Sequence, residues 1–116
     1  MKIAKLDQIQ KVKMDMEGAK DAWKQVPIGS ADGTPSHSVR VFTIEVGGHT
    51  PYHTHPFEHI NYVIQGQGAV KAMDGSERAV TQGDFVLVQP NEKHQYRNTA
   101  KDAPLMIICA VPKEYE

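Results

Sequence analysis

Four of the six histidines in this chain of 116 residues stand where their spacing could do chemistry. The first group reads His53-Thr54-His55-Pro56-Phe57-Glu58-His59, and the second is His94, shortly after Pro90-Asn91. Residues two apart on a β-strand share a face, so His53 and His55 would project together. His59 lies an even number of residues further on and could rejoin that face. His94 has to arrive from a neighbouring strand. Imidazole nitrogen suits a divalent transition ion such as Mn, Fe, Ni, Cu or Zn. Neutral ligands would leave the ion its full +2 charge to polarise whatever completes its coordination. One His-x-His pair alone is more often just a partly exposed strand face. Adding His59 and an independent His94, each at a regular offset from turn residues, makes a metal site the stronger reading.

Bringing rings together from two separate segments calls for a sheet that curls, and the rest of the chain supplies short strands. Runs at 37–46, 60–64, 68–73, 79–81, 85–88, 94–98 and 105–111 are rich in β-branched or apolar residues and are separated by Gly, Pro, Asn and Asp. Asp74-Gly75 reads as a tight hairpin turn. Strands this short at this turn density point to an all-β sandwich or jelly-roll barrel. Ala19, Ala22 and Trp23 sit at helical spacing and suggest a turn or two of helix over 15–25, although Gly18 and Pro27 weaken it. Residues 27–36 read as loop. Trp23 is expected to bury its ring and anchor the N-terminal segment.

The composition removes several classes of function. Thirteen Lys and Arg against fourteen Asp and Glu leave a net charge of -1. That balance gives no basic footprint for a nucleic acid or an anionic membrane. No apolar run has the length of a membrane span or of a secretory leader. The single cysteine, Cys109, excludes an internal disulfide framework, fits a reducing cytoplasmic location and reads as a small buried hydrophobe. There is no Gly-rich phosphate loop, no Cys-x-x-Cys and no serine in a hydrolase elbow.

The two histidine segments carry a resemblance. Gly47-x5-His53-x-His55-x3-His59-x6-Gly66 resembles the first cupin motif, G-x5-H-x-H-x3,4-E-x6-G. The stretch Gly83, Pro90, His94, Asn98 resembles the second, G-x5-P-x-G-x2-H-x3-N. Three departures stand out. His59 occupies the position of the usual Glu, and Glu58, one residue early, is expected to face outward or lie behind the ligands. Gln89 holds the place of the motif proline, with Pro90 one residue late. Asn91 replaces a glycine, which is tolerable because Asn is the next-best residue in a left-handed turn.

The resemblance implies a small single-domain double-stranded β-helix. Residues 1–36 form an N-terminal strand and loop segment of that domain, and 37–116 form the barrel. It implies one divalent metal, Mn or Fe preferred, on His53, His55, His59 and His94. The four-histidine pattern is similar to a subgroup of small cupins, some of them manganese-containing. A small-molecule ligand is expected in the barrel cavity, and a homodimer through the N-terminal strand, where Val12, Met14 and Met16 alternate with Lys13 and Asp15. Asn61 and Tyr96 share parity with the ligands and are candidates for the cavity. The Tyr96 hydroxyl could orient an oxygen ligand, or Tyr96 and Asn98 could fill the wall and cap a turn. Tyr52 and Phe57 flank the ligands and could sit at the mouth or at a subunit interface. His37 and His49 are expected at the surface. Two functions fit: a dioxygenase-like oxidoreductase acting on a small chelating organic compound, or a ligand-binding or metal-stabilised module without turnover. A metal-dependent isomerase or lyase is a variant of the first, and no general base is evident for it.

Overall fold

The computed structural model of the chain describes residues 1–116. Nine strands follow in order: β1 (Val12–Lys13), β2 (Lys20–Ile28), β3 (His37–His49), β4 (His59–Gln65), β5 (Gln67–Lys71), β6 (Glu77–Thr81), β7 (Phe85–Val88), β8 (Gln95–Asn98) and β9 (Leu105–Pro112). Three short 3-10 turns complete the regular structure. All pairings are antiparallel, and the sheet runs β6-β5-β8-β3-β9-β4-β7, with β2 also on β3 and β1 on β2. This is the expected all-β jelly-roll barrel. No helix is long and apolar enough to cross a membrane.

One inward row of the sheet explains how the site is assembled. Arg40 on β3 registers opposite Cys109 on β9, and Asn61 on β4 registers opposite the same Cys109 from the other side. All three are buried. Side chains alternate along a strand, so His59, two residues before Asn61, faces the same interior. Behind this row lies the apolar core of Ala22, Ile44, Val63, Val80, Tyr96, Leu105 and Ile107. Tyr96 therefore belongs to the core by its ring and to the interior space by its hydroxyl.

Three expectations about the chain before residue 50 are corrected. Residues 20–28 form a strand, not a helix, with Ala22 opposite Ile44 and Lys24 opposite Phe42. Gly18 (φ 87°) and Asp21 (φ 47°) are left-handed, which no helix accommodates. The edge of β3 also offers unpaired backbone groups that a neighbouring strand satisfies. Pro27 falls in the irregular stretch between Gln25 and Ile28, where the ladder does not need its missing N–H. Trp23 is only half-buried, its ring facing the Lys13 ammonium at 5.9 Å. Gly47-Gly48 bends β3 instead of ending it. A Cβ on Gly48 would lie 2.7 Å from the Lys20 carbonyl oxygen, and the bent strand continues to His49, which pairs with Arg97 of β8. As for the N-terminal strand, β1 pairs with β2 of its own chain, and Met14 packs on the core.

The Asp74-Gly75 hairpin forms as expected, with Gly75 left-handed (φ 84°) between β5 and β6. Asn91 is left-handed too, at φ 66°, and its N–H donates to the His55 carbonyl at 2.7 Å. A non-glycine residue in this conformation costs roughly 1–2 kcal/mol unless its side chain is short and polar. Asn91→Ala should therefore lower stability by about 1 kcal/mol, and Asn91→Gly should be neutral or better, as read from denaturant midpoints. Equal midpoints for the two variants would show that this turn does not depend on Asn91 for its conformation.

Candidate metal centre

The segment between β3 and β4 and the residue ahead of β8 meet through backbone. His53 N–H donates to the His94 carbonyl at 3.2 Å, and His94 N–H returns a bond to His53 at 3.0 Å. Thr50 extends the contact: its N–H donates to the Tyr96 carbonyl, and its hydroxyl accepts from Tyr96 N–H, both at 2.9 Å. The two histidine segments, 35 residues apart at their nearest ligands by sequence number (94 - 59), are thus fixed edge to edge.

Three rings converge. One ligand-capable nitrogen from each of His53, His55 and His94 lies within 4.8 Å of the others. Their tautomers follow from outer hydrogen bonds. His55 Nδ1 lies 2.8 Å from the Phe57 carbonyl oxygen, and His94 Nδ1 lies 2.8 Å from that of Glu92. A carbonyl only accepts, so Nδ1 carries the proton in both rings and Nε2 keeps a free lone pair. His55 Nε2 is buried without a partner. The inner position of His55 also depends on an aromatic stack, with Phe57 4.0 Å from its ring and Tyr115 3.9 Å beyond Phe57.

His59 stands beside this trio. Its ring lies 4.3 Å from His55 and 5.3 Å from His94, centroid to centroid. Its Nε2 accepts a hydrogen bond from the Arg40 guanidinium at 3.1 Å. The structure therefore groups three of the four expected ligands directly and holds the fourth against Arg40. Glu58 is half-buried and does not line the interior space. Outside the group, as expected, are His37, which is exposed beside Ser36, and His49, whose ring contacts Thr50 and Gln95.

The four rings line a cavity of about 260 Å³, together with Phe42, Phe57, Met14, Met16, Arg40, Asn61 and Tyr96 among others. Asn61 donates its amide N–H to the Tyr96 oxygen, which leaves the phenol proton for another acceptor. Burial pushes the Tyr96 phenol above its ordinary range, so it serves as a donor and not as a base. Asn98 does cap a turn, bonding the Ile44 and Ala103 carbonyls and accepting from Ala100 N–H. Tyr52 faces away from the cavity, its hydroxyl on the Ala72 carbonyl at 2.6 Å. Cys109 is buried as expected, and burial pushes its thiol up, out of the nucleophilic range.

Arg40 is the residue that spacing did not reveal. A signal existed: it is a charge inside the run His-Ser-Val-Arg-Val-Phe-Thr-Ile, on the parity of Phe42 and Ile44.

The Cupin_2 family model, a cupin domain, matches residues 40–111. The chain belongs to the cupin family. Among curated proteins no match was found. Solved structures share the fold. The polyketide cyclase RemF from Streptomyces resistomycificus matches with a TM-score of 0.90 at 23% identity, over 97% of this cupin and 79% of that chain. A predicted oxalate decarboxylase from Thermotoga maritima matches with a TM-score of 0.84 at 17% identity, over 97% and 99%. Ectoine synthase from P. lautus matches with a TM-score of 0.74 at 20% identity, over 97% and 78%.

The histidine cluster makes the metal-free cupin sensitive to acid. Desolvation, then the neighbouring His94 and His55 and the Arg40 charge, push His53 down to about 4. Desolvation followed by Arg40 pushes His59 down to about 2, and burial lowers His55 and His94 as well. An unfolded histidine titrates near ~6.5, so below that pH the unfolded chain binds protons that the folded cluster refuses. Stability is then full above about 6.5 and is lost as pH falls toward about 4. The thermal midpoint of metal-free protein should drop over that window, and the drop should shrink in a His53→Gln/His59→Gln double variant. A midpoint flat across the window would contradict the neutral cluster.

Proposed function

We propose that this cupin is a metal-dependent enzyme whose cavity takes a small organic compound chelating through oxygen. The observation that carries the proposal is the buried, partnerless His55 Nε2, which converges with His53 and His94 at the cavity wall. Lone pairs gathered without a proton between them suit a cation, and the outer bonds from Nδ1 to backbone carbonyls are the usual means of orienting metal-bound histidine. His53, His55 and His94 would hold the ion, with His59 as the fourth ligand in exchange for its bond from Arg40. The donor set is all nitrogen and neutral, which fits Fe, Zn, Ni or Cu, and Mn where the ligand's oxygens complete the coordination.

A bound divalent ion supplies Lewis-acid polarisation of the ligand's oxygens and, with Mn or Fe, a route for electrons to dioxygen. The chain's own groups position and exclude. Phe42, Phe57, Met14 and Met16 provide apolar walls. Tyr96, held by Asn61, offers one phenol proton toward an oxygen atom. The only carboxylate in the lining is the exposed Asp15, just after β1, and no buried base stands inside beyond the imidazoles. That favours a compound already bound as an enolate or phenolate, and hence dioxygenase-like oxidation. A second reading, non-oxidative cyclisation or isomerisation, is supported by the likeness in fold to a polyketide cyclase.

Wild type and His55→Ala, loaded anaerobically with Mn or Fe, test the proposal. Wild type should retain about one metal per chain through gel filtration, and His55→Ala should lose affinity by roughly tenfold or more while staying folded. Full occupancy in the variant would overturn the metal site. With phenols, 1,3-diketones and hydroxy acids, oxygen uptake coupled to product supports the first reading. Product formed without oxygen supports the second, and absence of turnover throughout would refute an enzyme.

A further inference from the structure

Arg40 is only 8% exposed, and its guanidinium has no carboxylate partner. The two ion pairs of the molecule, Lys2–Asp32 and Arg97–Glu77, are elsewhere. Its N–H groups meet three neutral acceptors: the Tyr115 carbonyl at 3.3 Å, His59 Nε2 at 3.1 Å and Cys109 Sγ at 3.2 Å. Its Nε is buried with no acceptor at all. An unpaired buried charge is costly, and natural proteins keep one where something else supplies the opposite charge. The nearby Glu116 forms no ion pair with it; its carboxylate turns instead to Ser30 N–H and Ser38 Oγ, both at 2.6 Å.

The cavity around Arg40 has the same imbalance. Its charged lining is Arg40, Lys24 and the exposed Lys13 on one side, and the exposed Asp15 on the other. Lys24 donates to a backbone oxygen of Glu116 at 3.3 Å. Four buried side-chain polar atoms in the whole molecule lack partners, and three belong to cavity residues: Arg40 Nε, His55 Nε2 and Asn61 Oδ1. Unsatisfied buried atoms are rare, so their concentration here points to a missing occupant. A metal answers the imidazole but adds positive charge beside Arg40. The balance has to come from the ligand.

We propose that the cavity ligand is an organic carboxylate with an apolar body, its anionic group paired with Arg40 and its body against Phe42, Phe57 and Met14. This rests on the reading of the cavity as the substrate pocket and specifies the substrate's charge. A neutral chelator of the same shape leaves the guanidinium unpaired and binds more weakly.

Salicylate and salicylamide, matched in size and both able to chelate, separate the cases. Binding of each is measured by calorimetry to wild type, Arg40→Met and Arg40→Lys, in metal-free and zinc-loaded protein, with zinc content read by elemental analysis. Wild type should bind salicylate about tenfold tighter than salicylamide in both metal states, as suits a charge-assisted pair. In metal-free protein, where no ion favours the carboxylate, Arg40→Met should abolish the difference, and Arg40→Lys should keep part of it. If Arg40→Met does not fold, Arg40→Gln replaces it, and the wild-type preference in metal-free protein decides. In metal-free protein, equal affinities in wild type, no binding of either compound, or a preference that survives Arg40→Met would each overturn the proposal. A chain that takes up no zinc yet still prefers salicylate refutes the metal reading alone. A zinc-loaded chain without preference refutes this inference alone.

Discussion

The reciprocal backbone hydrogen bonds between His53 and His94 are the constraint on which the site depends. Each residue is a candidate ligand, and the pairing sets their rings facing one space before any side-chain contact is considered. The bend at Gly47-Gly48 delivers the chain to that pairing, and the left-handed Asn91 turn brings it back from the other side while bonding the His55 carbonyl. Backbone geometry therefore fixes where three imidazoles point. Hydrogen bonds to the Phe57 and Glu92 carbonyls then fix which nitrogen of His55 and of His94 stays free.

Electrostatics gives this arrangement its purpose. The near-neutral chain concentrates unbalanced positive charge in one cavity, through a buried arginine whose contacts are all neutral. Desolvation keeps the neighbouring histidines unprotonated well below the pH at which a free imidazole would charge. A cluster that refuses protons but presents lone pairs is suited to a divalent transition ion, and its imidazoles stay neutral across mildly acidic conditions. Were a metal held there, its release on acidification would fall below the ~6.5 at which unperturbed histidines would lose it.

Much of this was legible in the chain because parity and turn chemistry are local. Strand alternation put Asn61 on the side of His59 and Tyr96 on that of His94, and both are buried at the cavity. The substitution of Asn91 for glycine foretold its positive φ. Residues 15–25 were misread because helical spacing of three apolar residues is weak evidence beside an open strand edge, and sequence does not show which edge is open. Arg40 was passed over for a related reason. Its contacts with His59, Cys109 and Tyr115 come from strands β4 and β9 and from the turn after β9, so they exist only once the register is set. The same holds for His59, whose spacing matches a ligand while its ring nitrogen is engaged by Arg40.

The central claim, that converging imidazoles hold a metal, is tested most directly by X-ray absorption at the zinc edge of the zinc-loaded protein. The account predicts at least three imidazole nitrogens at about 2.0–2.1 Å, with the outer-ring scattering that distinguishes histidine from other nitrogen or oxygen donors. A first shell made of oxygen, or containing one imidazole or none, would contradict it.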